Sequence, residues 1–397
     1  MPKLNSRSLY VWGSLFCLPL LVALLILSLP LCIFAIGAAY FLAWSIYLLE
    51  AQRDSKFNLP YDPIRVAKVN IALFHLILGW ITDLPRIAAY LHWRYFEVQD
   101  TFRQLVSRNV EYSDAHSSCL LDVYHPERTI ESKPPIIIFI HGGSWSSGSK
   151  LLYTPFANTL RELGYVVVVP DYRKYPQVKV DSIYDDVRQA LLWTYANADE
   201  INGDREKIYL MGHSAGGHLC AQVILKNAID VAKKQSIQEP LPRVKGLLLV
   251  AGVYSIERHL LTEQRRGVEK ISAMTRVMGK TLENFRVNSP IDLVETNEEL
   301  FVESDDLLKN IPRIMLVHGE KDTTVLSEQS VDMYNAFGQV LPPERRDDVD
   351  VRIRIHKRLK HAQCVTAFMP SLLGEDRLKK SLIKDIQEFV GNPHTEE

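Results

Sequence analysis

Seven short apolar runs fall between Cys119 and His356: CLLDVY, PIIIFI, YVVVVP, IYLMG, GLLLVAG, IMLVHG and VRIRIH. The inner ones do not alternate apolar and polar residues, as a strand with one wet face would. They are apolar throughout, which is the mark of strands covered on both faces. Helix-length segments separate them, Ser182–Ala198 and Gly217–Ala228 being the clearest. Repeated βαβ units of this kind close around a mainly parallel central sheet flanked by helices, so residues 110–391 are expected to form one α/β domain. Stretches 256–289 and LPPERRDDVD, just before the last run, read as insertions.

The amino terminus obeys a different rule. From Val11 to Leu49 no side chain is charged. A secretory signal has an apolar core of only about 7–15 residues. As one straight helix the run would reach about 58 Å, against about 30 Å of hydrocarbon. A transmembrane region over 10–50 is therefore expected. It is either a hairpin of spans 11–29 and 31–49 broken near Pro30, or one tilted span, because LSLPLCI offers a lipid-exposed turn little polar material. The following segment, 51–109, is apolar between Ile71 and Ile81 but carries Arg65, Lys68, Asp83, Arg86 and Arg94. It reads as a juxtamembrane helix at the interface, with Trp80, Tyr90, Trp93 and Tyr95 at headgroup depth.

Composition removes several function classes. Lysine and arginine total 46 against 47 acidic residues, for a net charge of −1. No basic block draws nucleic acid. The five cysteines are widely spaced, without a CxxC pair, so neither a zinc site nor a disulfide framework is expected. With no Asn-x-Ser/Thr acceptor present, the cysteine pattern points to a cytosol-facing catalytic domain. Lys3 and Arg7 place the amino terminus in the cytosol, from which a hairpin returns the domain to the cytosol and a single span sends it to the lumen. An integral protein of the endoplasmic reticulum or another endomembrane is the expectation.

The chemistry concentrates in two turns. Gly212-His213-Ser214-Ala215-Gly216 fits G-x-S-x-G directly after an apolar run and before a helical stretch. A sharp strand-to-helix elbow needs small residues on both sides, and it presents the serine hydroxyl above the sheet. His141-Gly142-Gly143 ends PIIIFI, at the strand end where ligands gather in open α/β sheets. Gly143 and Ala215, with Gly142 as alternate, are the candidate oxyanion-hole N–H donors. His141 reads as an anchor of that loop rather than a base. A nucleophilic serine needs a base and the base an orienting acid, in the chain order Ser, acid, His for hydrolases of this kind. Asp322, just past IMLVHG, is the candidate acid with Glu320 as alternate. His361, past VRIRIH, is the candidate base with His356 as alternate, whereas His318 would break the order. His213 and His218 read as packing residues, and Tyr172, Arg173 and Tyr175 as braces of the loop after YVVVVP. Arg265-Arg266-Gly267 reads as an exposed helical face, with a lid as the alternative.

HGGSW, PDYRKYP, GHSAGGH, HGEKDTTV and KHAQ together resemble the esterase/lipase branch of the α/β hydrolases. Within it the chain is similar to the isoprenylcysteine methylesterase group over about residues 110–390. The resemblance implies an α/β-hydrolase fold, triad roles for Ser214, Asp322 and His361, and an oxyanion loop at Gly142-Gly143. It also implies hydrolysis of a small-molecule or lipidic carboxylic ester, without cofactor or metal. Ser144 departs from the third glycine that many relatives of the hormone-sensitive-lipase type carry. Kynurenine formamidases share the HGG and GHSAGGH style but are typically soluble. A lipid-ester or xenobiotic deacetylase, an arylformamidase-like hydrolase and an inactive membrane scaffold are the alternatives.

Overall fold

Each of the seven apolar runs forms a strand in the computed structural model, which describes residues 6–51, 58–97, 104–127, 132–234, 240–370 and 377–393. They are β2 (Leu120–Tyr124), β3 (Pro135–Ile140), β4 (Val166–Pro170), β5 (Asp204–His213), β6 (Gly246–Val250), β7 (Arg313–Gly319) and β8 (Val351–His356). A further strand, β1 (Val106–Glu111), was not expected. It pairs antiparallel with β2 at the sheet edge, mostly exposed, with its register shifted between Ser107 and Val110. Such a strand leaves no apolar run to find.

The sheet order is β1-β2-β4-β3-β5-β6-β7-β8, antiparallel up to β2–β4 and parallel from β4 onward. Alternate residues of the inner strands enter opposite cores. Ile136, Ile138 and Ile140 of β3 face one side with Val166, Val168 and Leu210. Ile137 and Phe139 face the other with Val167, Val169 and Met211. Both faces are covered, which is why β3 reads as unbroken apolar sequence.

Helices α3 (Thr154–Glu162), α4 (Val180–Ala196), α5 (Ala215–Ala232), α6 (Ile256–Arg266), α7 (Glu328–Val340) and α8 (Arg377–Val390) follow the strands, preceded by the amino-terminal α1 (Ser6–Ile46) and α2 (Pro63–His92). In α4 the buried Val180, Ile183, Val187, Ala190, Leu191 and Thr194 recur at helical spacing. The 256–289 insertion carries α6 and two shorter helices, Met274–Met278 and Leu282–Val287.

By its internal contacts the chain divides into two compact units, Met1–Ile77 with Arg266–Ile271, and Leu78–Arg265 with Ser272–Glu397. In the first, α1 passes unbroken through Pro19 and Pro30, so the reversal expected near Pro30 is absent. Breaking the helix there would strip backbone hydrogen bonds in a segment with few polar side chains to replace them. Asn70 donates to the Ala39 carbonyl at 2.9 Å and Arg65 to the Tyr47 hydroxyl at 3.5 Å, a pairing that runs α1 and α2 antiparallel. Ala43, Tyr47, Val66 and Val69 form the small core between them, and Ile271 packs against it. Arg65 also pairs with Glu269. Among the described residues, two helical stretches are long and apolar enough to cross a bilayer, Val22–Ala51 and Pro63–Phe96. The second covers the segment, Ile64 to Phe96, read from the sequence as an interfacial helix.

Candidate active site

The strand order reverses beside β3, since β4 lies on one side of it and β5 on the other. At such a switch point the connections leave in opposite directions and open a crevice beyond the strand carboxyl ends. The ends of β3 and β5 carry His141-Gly142-Gly143 and Ser214.

Ser214 turns the chain from β5 into α5 with φ 55° and ψ −121°, a backbone that side chains rarely adopt. Its neighbours explain the motif's glycines. A Cβ on Gly212 would run into the Gly216 carbonyl, and one on Gly216 into the Ile140 carbonyl. The Ser214 N–H donates to the Val250 carbonyl at 2.9 Å, fixing the elbow to β6.

The three triad candidates come together. The Ser214 Oγ lies 2.9 Å from His361 Nε2, and His361 Nδ1 lies 2.7 Å from Asp322 Oδ2. The Nδ1–H donates to the carboxylate, which leaves Nε2 to accept the serine proton. Asp322 is fully buried and accepts further hydrogen bonds from the N–H groups of Thr324 and Val325 at 2.8 and 2.9 Å. Burial alone would push its carboxyl up, but hydrogen bonds from His318 and His361 outweigh it and hold the carboxyl well below the usual range. The alternates stand apart. Glu320 is exposed, and His356 binds Asp385 at 2.5 Å. His318, bonded to Ser330 and to the Val325 carbonyl, sits 3.4 Å behind Asp322.

The glycine loop holds one correction. The Gly142 N–H donates to the Tyr153 hydroxyl at 3.0 Å, so it is not free to hold an oxyanion. Among the described residues, the N–H groups of Gly143 and Ala215 make no such bond, and neither does that of Ser144. Gly143, Ser144 and Trp145 all have positive φ, and a Cβ on Gly143 would strike the Ser147 backbone. The loop is held by its surroundings. His141 bonds the Gly142 carbonyl and Asp171 and stacks on Tyr172, whose hydroxyl donates to the His141 carbonyl at 2.9 Å. Tyr175 donates its N–H to the Trp145 carbonyl, and Arg173 grips Asp186.

His213 and His218 do more than pack. His218, fully buried, accepts from the Trp145 indole N–H at 3.1 Å and donates to the Asn288 carbonyl at 2.8 Å, linking the glycine loop to the insertion. His213 lies against His361, ring centroids 5.0 Å apart, and donates to the His361 carbonyl at 3.2 Å. Burial and the neighbouring His361 charge push the His213 imidazole down to about 3, and burial brings His218 to about 4, so both stay neutral at working pH. Tyr153 had no sequence signal, and His218 had only its place one turn into the elbow helix. Arg265 is exposed at the end of α6.

The BD-FAE family matches residues 121–337, more than half of the chain, from within β2 to within α7. The chain belongs to the BD-FAE family. Its sequence is 27% identical over 271 residues to isoprenylcysteine alpha-carbonyl methylesterase of Arabidopsis thaliana, a match covering 66% of this chain and 60% of that protein. It is 30% identical over 237 residues to esterase LipC of Mycobacterium tuberculosis, covering 57% and 54%. The chain thus spans about 60% of the length of the plant relatives it matches. Esterase B of Lactobacillus rhamnosis, solved with a tributyrin phosphonate inhibitor, shares the fold with TM-score 0.58 at 19% identity, covering 84% of this chain and 97% of that one. Thermogutta terrifontis esterase 2 with bound propionate gives 0.52 at 19%, covering 74% and 97%. This BD-FAE member therefore has the α/β-hydrolase fold, with two apolar helices ahead of it.

Proposed function

We propose that this protein is a membrane-anchored serine hydrolase of carboxylic esters, with a prenylcysteine methyl ester as its substrate class. One observation carries the reading: an unbroken run of hydrogen bonds from Asp322 through His361 to Ser214. In the first step His361 Nε2 takes the Ser214 proton while Oγ attacks the ester carbonyl, and Asp322 stabilises the imidazolium that forms. The tetrahedral oxyanion is held by the N–H groups of Gly143 and Ala215, with Ser144 replacing Gly142 as the third donor. Each such donor is worth about 3 kcal/mol in comparable sites. Collapse breaks the ester C–O bond, His361 returns its proton to the leaving methoxide, and methanol departs. Water then attacks the acyl-enzyme, giving its proton to His361, and the free acid leaves as Ser214 regains its proton. The route needs no metal or cofactor.

The anchor is read from Val22–Ala51 and Pro63–Phe96. Two crossings from a cytosolic amino terminus bring the catalytic domain back to the cytosolic face of an endomembrane. Reporters placed at residue 60 and at the carboxyl terminus test that topology, which requires opposite sides.

The activity is tested with purified full-length protein on a prenylcysteine methyl ester and on short-chain soluble esters. Faster turnover of the prenylated ester is expected. Turnover of the soluble set alone would remove the substrate class. Failure of a fluorophosphonate probe to label Ser214 would remove the hydrolase reading altogether.

A further inference from the structure

Two neighbouring elements of the catalytic unit have their polarity turned inside out. The first is the carboxyl-terminal part of α2 with the turn that follows it, from Leu78 to Phe96. Trp80, Ile81, Leu84, Leu91 and Phe96 are all exposed, whereas Asp83, Arg86 and Arg94 lie on the half-buried side. An ordinary surface helix shows the reverse. The second is the turn Lys150–Tyr153. Its polar members are inside, Lys150 at 4% and Tyr153 at 8% exposure, while Leu151 and Leu152 stand out at 47% and 54%.

This arrangement is fixed by hydrogen bonds. Lys150 Nζ reaches Asp122 at 2.5 Å and Asn109 at 2.7 Å, pinning the turn to β2 and β1. The Tyr153 hydroxyl takes the Gly142 N–H. With both polar ends tied down, the two leucines between them have only the outside to face. The two elements are also joined, since the Tyr90 hydroxyl donates to the Leu151 carbonyl at 2.9 Å and Arg94 reaches the Thr154 hydroxyl at 3.4 Å. The apolar faces of Leu78–Phe96 and of Leu151–Leu152 therefore belong to adjoining parts of one surface, and the turn itself carries Tyr153, which holds the Gly142 N–H of the glycine loop.

We infer that this surface lies in the acyl-chain and headgroup boundary of a lipid leaflet, seating the catalytic unit so that the Ser214 crevice receives an ester from the bilayer. The occupant is lipid rather than a second copy, because the surface continues a helix already apolar and long enough to cross a membrane. Its aromatic members, Trp80 and Phe96 among them, suit that depth. The inference rests on the membrane attachment proposed above and adds to it a specific part of the catalytic unit.

The test uses full-length protein in proteoliposomes of phosphatidylcholine. With Cys17 and Cys32 changed to serine, a single cysteine is introduced by Leu152→Cys or, on the opposite edge strand, by Arg352→Cys, and labelled with an environment-sensitive fluorophore. Lipid brominated along its acyl chains should quench the label at 152 several-fold more than the label at 352. Equal quenching at the two, or a label at 152 protected only by a second copy, overturns the inference. In a second arm, Leu151→Glu with Leu152→Glu should lower hydrolysis of a vesicle-embedded ester at least tenfold and leave a soluble ester within twofold. Undiminished hydrolysis of the embedded ester also overturns it. Where both esters lose activity equally, the ratio of quenching at 152 and 352 decides. Release of the whole protein by alkaline carbonate would instead strike at membrane attachment itself. Quenching needs no turnover, so it reads independently of the hydrolase assignment.

Discussion

Strand β3 and helix α1 are about equally apolar in sequence, yet the structure treats them oppositely. All six residues of β3 are buried, whereas Phe34 of α1 is 76% exposed, with Leu31, Ile33 and Ile36 exposed beside it. The strand excludes water by packing against other protein. The helix, read as membrane-spanning, leaves that task to lipid. Apolarity thus indicates which surroundings a segment needs, and the pattern around it decides whether protein or bilayer supplies them.

The sharpest way to break this contrast is to separate chemistry from anchoring. Ser214→Ala should lower ester turnover by four to six orders of magnitude, on the precedent of comparable triads. Asp322→Asn should cost roughly 10⁴-fold by misorienting His361. Neither change should alter membrane partitioning, which is measured by fractionation alongside a fluorogenic ester assay. Substantial turnover by Ser214→Ala would show that the hydrogen-bonded serine is not the nucleophile.

A matched pair of truncations sharpens the contrast next. Ile138→Ala in β3 should cost about 2–5 kcal/mol through lost burial and a cavity in a core covered on both sides. Phe34→Ala in α1 should leave unfolding of the catalytic unit unchanged. Thermal unfolding followed by tryptophan emission in detergent compares the two, and equal losses would erase the distinction.

The most gradual effect is a slope with pH. His213 and His218 titrate at about 3 and about 4 in the folded protein and near 6.5 when unfolded. Below pH 6.5 the unfolded chain binds protons that the folded chain refuses, so stability should fall as pH drops from about 6.5 toward 4. Each imidazole contributes about 1.4 kcal/mol per pH unit across that window. Asp322, held below the usual carboxylate range, adds to the loss only as pH passes below about 4. Unfolding measured from pH 7 to 4.5 should show a shallower slope for His218→Gln than for the unchanged protein, and identical slopes would count against its buried neutral state.

How much of this was legible depends on what each residue's neighbours had to be. The inner strands stood out because burial on two faces forbids polar residues along their whole length. The elbow was legible because Gly212 and Gly216 are demanded by contacts a few residues away or in the adjacent strand. Asp322 and His361 were chosen by their place past successive strand ends, and the hydrogen-bond geometry brings both to Ser214. Strand β1 was missed because an exposed, shifted edge needs no apolar pattern. The partner of the Gly142 N–H was missed because Tyr153 meets it only through folding, from a turn eleven residues on. Pro30 misled because the rule for proline was learned in water, where loose backbone groups find other partners.

The backbone at Ser214 has one more consequence. Of the twenty residues, glycine would sit there most comfortably, and holding a serine in that conformation costs roughly 1–3 kcal/mol. The strain is borne by the strands and helix that clamp the elbow, so part of the domain's cohesion goes to keeping the Ser214 hydroxyl in an awkward posture. A sequence tuned only for durability would discard that residue first.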